Sequence, residues 1–264
     1  MCTLTVAYRQ FDAPLAVAAN RDELYARPSS PPQQWDDPDI FAPRDEEAGG
    51  TWTGTNDDGV LVAITNRWSR DVTDGDREGD RSRGLLVRDA LTAPTAEAAG
   101  TLVRRELDAR AYEPFHLLVA DRERALLFEH DATDSETRLA PGTYVVGNAG
   151  WCGVRAGPND AGEPQRTRSF FVPAEGPNRG REQAANDEAV LDALVAGEAT
   201  TATAWLDRAG EILGDHEYGV CIHGEGFGTK SATLVAVDET ATWRYADGPP
   251  CETPFHRYGP DGRL

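Results

Sequence analysis

The chain has 264 residues, and its 45 acidic against 26 basic side chains give a net charge of −19, with Lys230 as its one lysine. So large an acidic excess disfavours nonspecific binding to nucleic acid, whose phosphates it would repel, and equally disfavours anionic membranes. A dense carboxylate surface with arginine in place of lysine resembles that of proteins kept soluble in very high salt, so we expect a halophilic archaeal source.

Length favours one domain over residues 1–264, large enough to bury a sizeable core. No basic segment followed by a long apolar stretch opens the chain, and no apolar run approaches the length of about 18 residues that a membrane-spanning helix needs. The sequence therefore predicts a cytoplasmic protein without membrane insertion.

Two strand-like runs open the chain, and a turn that contains Pro14 joins them into a predicted hairpin. This hairpin places Cys2 at the end of one strand. At the end of its neighbour it places Asn20-Arg21-Asp22-Glu23, which we call the acidic motif. A proline- and acid-rich stretch then predicts a long surface loop with one short extended piece at residues 40–41. The next strand is apolar and ends at Asn66. In residue numbers, the strands are 3–8, 15–19 and 59–66, and the loop is 27–48.

Residues 67–83 are charged and contain several glycines, which predicts a mobile loop. Helical periodicity then gives two short helices divided by Pro94, followed by a strand pair and a strand that leads to Asn148. Many glycine, proline and charged residues predict an irregular segment over residues 151–182. Two helices, three strands and a tail follow it. The helices are 85–91, 96–107, 188–195 and 202–213, and the strands are 115–120, 125–129, 144–146, 218–223, 231–237 and 242–245.

This order of strands, helices, strands, helices and strands predicts the class α+β. It suits two packed sheets flanked by helix layers better than a repeat of parallel strands and helices, because the strands come in runs. We therefore expect two mostly antiparallel sheets with helices on their outer faces.

The cysteines are spread along the chain without any Cys-x-x-Cys pair, so neither a zinc ribbon nor a thioredoxin motif is indicated. The nearest approach to a ligand pair is Cys221 and His223, which would share one face of a strand. Because a second pair is missing, we interpret this segment as an ordinary strand and predict no metal site. The four cysteines are Cys2, Cys152, Cys221 and Cys251.

Cys2 has a functional interpretation because of its position. Cysteine is small enough for the initiator methionine to be removed, which would leave a thiol and a free α-amine on one carbon. A thiol needs a nearby base, and an α-amine with a pKa near neutrality can serve as one. The terminus would then be a self-contained catalytic unit. The alternative is a small hydrophobic side chain that opens a buried strand.

Three other strand ends carry polar side chains that could meet near Cys2, namely Asp22, Asn66 and Asn148. A carboxylate can hold an α-ammonium group in place, and amides can stabilise an oxyanion while a thiolate attacks a carbonyl. The chemistry indicated is acyl transfer. Taken singly, each of these residues could instead cap a turn or a helix.

Several short motifs, taken together and in order, resemble those of a known family. They are Cys2-Thr3, Ala19-Asn20-Arg21-Asp22-Glu23 with Arg27-Pro28, Gly49-Gly50-Thr51-Trp52, Thr65-Asn66, Ser82-Arg83-Gly84 and Gly228-Thr229-Lys230-Ser231. The set resembles the NRDE family, which is named for its Asn-Arg-Asp-Glu motif and includes the transport and Golgi organisation protein 2 homologues. A lone Asn-Arg-Asp-Glu would be weak, whereas this joint occurrence is highly specific.

The resemblance implies the N-terminal nucleophile (Ntn) hydrolase fold, a four-layer αββα sandwich similar to choloylglycine hydrolase and penicillin acylase. By motif position it implies that Cys2 is the nucleophile, that Asp22 orients its amine, and that Asn66 and Asn148 hold the oxyanion. The similar hydrolases carry an arginine shortly before the aspartate, for which Arg21 is the candidate here. They carry a second arginine later in the chain, and its counterpart by order is Arg166 or Arg168.

The resemblance leads to two functional hypotheses. The first is a cysteine amidohydrolase or acyltransferase that acts on an amide or thioester of a small acyl substrate and needs no cofactor. The alternative is a trafficking protein that keeps the fold but binds a hydrophobic ligand such as haem, a lipid or acyl-CoA. A structural or partner-binding role is a third hypothesis. The candidate axial ligands for haem are Cys2, His116, His130, His216, His223 and His256.

Overall fold

Two antiparallel β-sheets lie face to face in the computed structural model, which describes residues 2–69, 79–158 and 163–263. The first half of the chain contains β1 (Thr3–Tyr8), β2 (Leu15–Leu24), β3 (Ser29–Asp36), β4 (Asp39–Asp45), β5 (Thr53–Thr55), β6 (Leu61–Asn66), α1 (Arg83–Ala90), α2 (Ala96–Ala109), β7 (Phe115–Ala120) and β8 (Ala125–His130). The second half contains β9 (Ser135–Arg138), β10 (Gly142–Val146), β11 (Gly150–Pro158), β12 (Pro164–Phe170), α3 (Pro177–Ala196), α4 (Ala202–Gly214), β13 (Phe227–Val237), β14 (Ala241–Ala246), β15 (His256–Gly259) and β16 (Gly262–Arg263).

The first sheet has nine strands in the order β12-β11-β10-β1-β2-β13-β14-β15-β16, and the second has seven in the order β3-β4-β5-β6-β7-β8-β9. The strand pairs around the site are antiparallel throughout. Because β1 lies between β2 and β10, the residue that precedes β1 is held among the ends of neighbouring strands.

Apolar side chains fill three layers, one between the sheets and one outside each sheet. The central layer takes Leu4 and Val6 from β1 and contains an edge-to-face contact between Phe41 and Trp243. Helices α1 and α2 cover the outer face of the second sheet, and α3 and α4 cover the outer face of the first. This arrangement confirms the predicted α+β class and the αββα sandwich.

Side-chain size on β2 explains how α4 approaches the first sheet. Leu15 and Val17 face the core between the sheets, and the intervening Ala16 and Ala18 face the helices. These alanines leave room for Trp205 of α4, which is only 1% exposed. A larger residue at either alanine would push the helix away from the strand that carries the acidic motif.

Most predicted elements are confirmed within a few residues, including the two helices on either side of Pro94. Residues 70–78 of the predicted mobile loop lie outside the described residues. None of the described helices has the length and apolar character that crossing a membrane requires.

The predicted loop at 27–48 is wrong, because this stretch forms the hairpin of β3 and β4. β3 is the outermost strand of the second sheet, where a missing proline N–H need not cost a ladder hydrogen bond. Pro31 and Pro32 coincide with a shift of register between Ser30 and Gln33. The prolines that suggested a loop are therefore accommodated by an edge strand with a bulge.

The irregular segment predicted at 151–182 is also wrong for its described residues, which do not include 159–162. It contains β11, β12 and the start of α3, which begins at Pro177, a residue suited to the first helical position. β12 is an edge strand whose side chains alternate between exposed and half-buried, so it lacks the apolar pattern that marks a buried strand.

The strand predicted at 218–223 does not form. A short 3₁₀ turn at His216–Tyr218 is followed by Gly219, whose φ of 63° turns the chain away from an extended path. β13 begins earlier than predicted, and the predicted tail contains β15 and β16. Cys221 and His223 therefore lie in the loop between α4 and β13 and not in the predicted strand.

Candidate active site

Cys2 is half-buried directly before β1, beside the ends of β2 and β10. Its backbone nitrogen donates a hydrogen bond of 3.1 Å to Oδ1 of Asn148, and its Sγ lies 3.8 Å from the carbonyl oxygen of Asp22. Burial raises the pKa of the Cys2 thiol, and the nearby charge of Asp22 raises it further. The thiol therefore needs a base to remove its proton before it can react.

Asp22 is fixed by the pairing of β2 with β13. The two strands place Asp22 opposite Thr229, whose hydroxyl donates a 2.6 Å hydrogen bond to Oδ1 of the carboxyl group. Asp22 is only 5% exposed, and this burial raises its pKa. The hydrogen bond from Thr229 acts in the opposite direction because it favours the ionised form.

Asn148 follows β10 and is almost fully buried. Its Oδ1 accepts hydrogen bonds from Cys2 and from Nε2 of Gln183, the latter at 3.2 Å, while its backbone nitrogen donates to Oε1 of Gln183 at 3.1 Å. Its Nδ2 donates to the carbonyl oxygen of Asn66. The amide of Asn148 thus joins the residue before β1, the end of β6 and helix α3.

Asn66 ends β6 with an exposed side chain. Its side chain lines the same cavity as Cys2, whereas its backbone carbonyl is held by Asn148. The structure therefore brings together Cys2, Asp22 and Asn148 by direct contact, and adds Asn66 through that carbonyl and through the cavity wall. β2 continues beyond its predicted end at residue 19 to Leu24, so Asp22 lies within this strand and not after it.

A cavity of about 400 Å³ opens beside Cys2 and is lined mainly by polar and charged side chains. Four arginines and four carboxylates lie in its wall, so their formal charges balance although the chain as a whole is strongly acidic. These charged residues are Arg21, Arg27, Arg81, Arg83, Asp22, Glu23, Asp45 and Glu113.

Arg21 lies flat against Trp52, with its guanidinium carbon 4.1 Å from the ring centroid. It is 7% exposed and reaches Glu23 at 3.6 Å and Asp45 at 3.9 Å. Its charge lowers the pKa of the Cys2 thiol, against the larger effect of burial. The candidate arginine of the acidic motif thus contributes charge to the site, and Trp52 of the glycine-rich motif holds it in place.

Arg83 is a cavity residue that the sequence reasoning did not assign to the site. It is the first residue of α1, where its Nη1 donates to the carbonyl of Pro114 at 2.9 Å and its Nη2 pairs with Glu113 at 2.7 Å. Burial lowers the pKa of Arg83, and the charges of Glu113 and Cys2 oppose that shift. The Ser82-Arg83-Gly84 motif was the available signal.

Glycine at positions 50 and 84 explains how the two motifs beside the cavity fit together. The amide of Thr51 donates to the carbonyl of Gly84 at 3.1 Å, and a Cβ on Gly50 would lie 2.3 Å from the carbonyl carbon of Gly84. Only a glycine allows the backbone before β5 to approach the start of α1 so closely.

Neither candidate for the second arginine reaches the cavity. Arg166 and Arg168 lie on the edge strand β12, where they pair with Asp192 at 2.6 Å and Glu188 at 2.8 Å. Their side chains are 55% and 71% exposed. The order of residues along the chain was a poor guide here, because β12 is separated from β1 by two strands.

None of the described histidines lines the cavity beside Cys2. His116 is buried in β7, where burial and the charge of Arg67 lower its pKa to about 3. His130 contacts Asp134 at 2.6 Å. The haem hypothesis therefore gains no histidine ligand in the cavity beside Cys2. The other histidines are His216, His223 and His256.

Comparison with known proteins identifies the relatives of this chain. The family model for Transport and Golgi organisation 2 matches residues 1–248. The Transport and Golgi organization protein 2 homolog of Homo sapiens is 28% identical over 241 residues, which cover 85% of this chain and 82% of the human protein. The homolog of Mus musculus is 32% identical over 145 residues, which cover 51% of this chain and 50% of that protein.

Solved structures with a similar fold are more distant in sequence. An N-acylethanolamine-hydrolyzing acid amidase ortholog of Caenorhabditis elegans has a TM-score of 0.52 at 14% identity and covers 89% of this chain and 92% of its own. Penicillin V acylase from Agrobacterium tumefaciens has a TM-score of 0.53 at 9% identity, with coverage of 93% and 83%. A variant of conjugated bile acid hydrolase from Clostridium perfringens has a TM-score of 0.51 at 11% identity, with coverage of 98% for each chain. The chain therefore belongs to the Transport and Golgi organisation 2 family, the NRDE family of the sequence motifs, and has the Ntn-hydrolase fold.

Proposed function

We propose that this protein is an Ntn-type cysteine hydrolase or acyltransferase that cleaves an amide or thioester bond of a small acyl substrate. The observation that carries the proposal is the contact of Cys2 with both Asn148 and Asp22 at the wall of a cavity. Its relatives in fold include an acid amidase, an acylase and a bile acid hydrolase, which supports the same class of reaction.

The first half of the reaction forms an acyl-enzyme. Removal of Met1 frees the α-amine of Cys2, which takes the proton of the thiol. Sγ then attacks the carbonyl carbon, a carbon–sulfur bond forms, and the carbonyl oxygen becomes an oxyanion. In this proposal the buried carboxylate of Asp22 stabilises the α-ammonium group, and Oδ1 of Asn148 accepts a hydrogen bond from it.

The second half releases the products. The oxyanion collapses, the bond to the leaving amine or thiol breaks, and the α-ammonium group gives its proton to that leaving group. Water then attacks the thioester on Cys2 while the α-amine accepts its proton, and the bond to Sγ breaks to release a carboxylic acid. When an amine or alcohol replaces water, the same steps transfer the acyl group.

The two asparagines have different roles in this proposal. The side chain of Asn66 faces the cavity and donates to the oxyanion. Asn148 is a positioning residue, because its Oδ1 accepts from the Cys2 nitrogen and its Nδ2 donates to the Asn66 carbonyl. This refines the sequence-based hypothesis that both amides hold the oxyanion.

The test is acyl release from a panel of amides and thioesters, measured for the parent chain and for Cys2→Ala and Cys2→Ser. We expect Cys2→Ala to lower kcat/KM at least about 1,000-fold, since it removes the nucleophile. An acyl adduct on Cys2 of the parent, seen by intact mass, is the expected intermediate. Cys152→Ala is the matched control, because its thiol is buried away from the cavity.

Two results would contradict the proposal. One is acyl release by Cys2→Ala at the parental rate. The other is active protein whose intact mass includes Met1, since a peptide nitrogen cannot act as the base.

A further inference from the structure

Four potential metal ligands meet outside the cavity, at the end of α4. They are His216, Cys221, His223 and Cys251, and one ligand atom from each lies within 4.8 Å of the others. Sγ of Cys221 is 3.5 Å from Sγ of Cys251 and 3.8 Å from Nε2 of His223. Nε2 of His223 is 3.2 Å from Sγ of Cys251. The partner pair that the sequence lacked beside Cys221 and His223 is thus supplied by His216, shortly before Cys221, and by the more distant Cys251.

The three separations among Cys221, His223 and Cys251 are close to the edges of one face of a small tetrahedron, and the ligand atom of His216 lies within 4.8 Å of theirs. Zinc binds thiolate sulfur at about 2.3 Å and imidazole nitrogen at about 2.0–2.1 Å, so tetrahedral geometry separates two sulfurs by about 3.8 Å and a sulfur from a nitrogen by about 3.6 Å. The sulfur–sulfur and sulfur–nitrogen distances given above lie within a few tenths of an ångström of these values. Two thiols and two imidazoles form a donor set that is typical of structural zinc sites.

The fold brings the ligands together from three segments. His216 lies in the 3₁₀ turn after α4, and the positive φ of Gly219 directs the chain back so that Cys221 and His223 come beside it. Cys251 follows β14, and a Cβ on Gly214 would lie only 3.2 Å from its backbone nitrogen. The rings of His216 and His223 meet edge to face with centroids 5.2 Å apart.

We propose that His216, Cys221, His223 and Cys251 bind one Zn²⁺ ion. Binding releases two thiol protons, and two thiolates then balance the charge of the ion while both imidazoles stay neutral. Because the protein supplies all four ligands, no position stays open for a substrate or a reactive water, and the site is structural.

The zinc site is connected to the cavity through β13. The amide of Ile222 donates to the hydroxyl of Thr229 at 2.8 Å, and the amide of Thr229 donates to the carbonyl of Ile222 at 2.8 Å. The same hydroxyl donates to Asp22. Nδ2 of Asn20 reaches the carbonyl of Val220 at 2.9 Å. Zinc at residues 221 and 223 would therefore stabilise the loop that holds Thr229 against Asp22.

The experiment measures zinc in the full chain, purified in the presence of a reductant that does not bind metal. We expect about one Zn²⁺ per chain by elemental analysis, and intense visible bands of tetrahedral Co²⁺ after replacement by Co²⁺. In competition with a chromophoric chelator, Cys251→Ser and His223→Ala should each weaken Zn²⁺ binding at least about 100-fold. The matched controls Cys2→Ser and His256→Ala should bind Zn²⁺ like the parent.

His216→Ala provides a second route if a cysteine variant does not fold, since His216 is exposed and its loss leaves the core intact. It should weaken Zn²⁺ binding and change the Co²⁺ bands. The proposal is overturned if the reduced parent binds neither Zn²⁺ nor Co²⁺. That result would favour a role for Cys221 and Cys251 in forming a disulfide. Unchanged Zn²⁺ affinity in the folded ligand variants would overturn it equally.

Discussion

Cys2 faces an open cavity of about 400 Å³, whereas Cys221 faces another thiol and an imidazole at less than 4 Å. The Sγ of Cys2 lies near the carbonyl oxygen of Asp22, its backbone nitrogen donates to Asn148, and the residue lines the cavity wall. The thiol of Cys221 has ligand atoms on several sides. A thiol with an open side can react with molecules that come and go, while an enclosed thiol suits a permanently bound ion. In the two proposals, the different surroundings of the thiols, together with the α-amine that only Cys2 would carry, separate a reactive site from a structural one.

The two regions meet at Thr229. Its hydroxyl donates to Asp22 on the cavity side and accepts from the Ile222 amide on the side of the Cys/His cluster. Substitutions can therefore change one region, the other or the link between them.

Among variants that keep the Cys2 thiol, the largest effect is expected for Asp22→Asn. This change removes the buried charge that the mechanism uses to hold the α-ammonium group, so kcat/KM for acyl release should fall about 100-fold or more. Asp58→Asn is the control for the loss of one carboxylate, since Asp58 is exposed and does not line the cavity. Equal losses in both variants would contradict a specific role for Asp22.

Removal of zinc tests the cluster of His216, Cys221, His223 and Cys251. A ligand present at about 100 times its Kd stabilises the folded state by about 2.7 kcal/mol, so excess chelator should lower the melting temperature by about 5–10 °C. The measurement is thermal unfolding of the reduced chain with Zn²⁺ and with chelator. Cys251→Ser should melt at the same temperature in both conditions, and a chelator effect that persists in this variant would place the ion elsewhere.

A smaller effect is expected for Gln183→Leu, which removes both hydrogen bonds of this side chain to Asn148. The backbone N–H of Asn148 then loses its acceptor in a buried position, which costs about 1–3 kcal/mol of unfolding free energy. Because Asn148 positions Cys2 without binding substrate, kcat should fall about tenfold with little change in KM. Glu182→Leu, at the exposed neighbouring position of α3, should alter neither quantity.

Thr229→Val should have the smallest effect on the maximal rate but should move the pH profile. The hydroxyl of Thr229 lowers the pKa of Asp22 against the effect of burial, so its removal raises that pKa further. Since the mechanism needs ionised Asp22, the acid limb of kcat/KM should shift to higher pH, with the plateau at higher pH nearly unchanged. Zinc content should stay the same, and an unshifted acid limb would exclude Asp22 from the titration.

Periodicity predicted the fold where side chains are buried on one or both faces. The strands around Leu4, Val62 and Leu117 and the helices on either side of Pro94 have this pattern. Edge strands escaped prediction because the second sheet tolerates prolines in β3 and the first tolerates charged side chains in β12. The composition of β3 and β12 indicates only that they are exposed to solvent. Because loops are exposed as well, composition cannot distinguish a loop from an edge strand.

The sequence could place neighbouring strand positions beside one another, but not residues that helices and loops bring in. Antiparallel pairing puts Cys2 and Asn148, which adjoin β1 and β10, beside Asp22 near the end of β2. Gln183 lies in a helix whose beginning was missed, and the Cys/His cluster depends on the return of Cys251 from beyond β14. Such contacts depend on packing between distant segments, which local patterns do not encode.

The balanced charges of the cavity have a consequence for the way ionic strength acts on this protein. In dilute buffer the net charge of −19 creates a negative potential that lowers the local concentration of an anionic acyl donor. The Debye length falls from about 10 Å at 0.1 M salt to about 3 Å at 1 M, so distant surface carboxylates cease to repel while arginines in contact with a bound donor still attract. If the proposed substrate is anionic, its apparent affinity should therefore improve as the salt concentration rises, the reverse of the trend for proteins that attract anions over long distances.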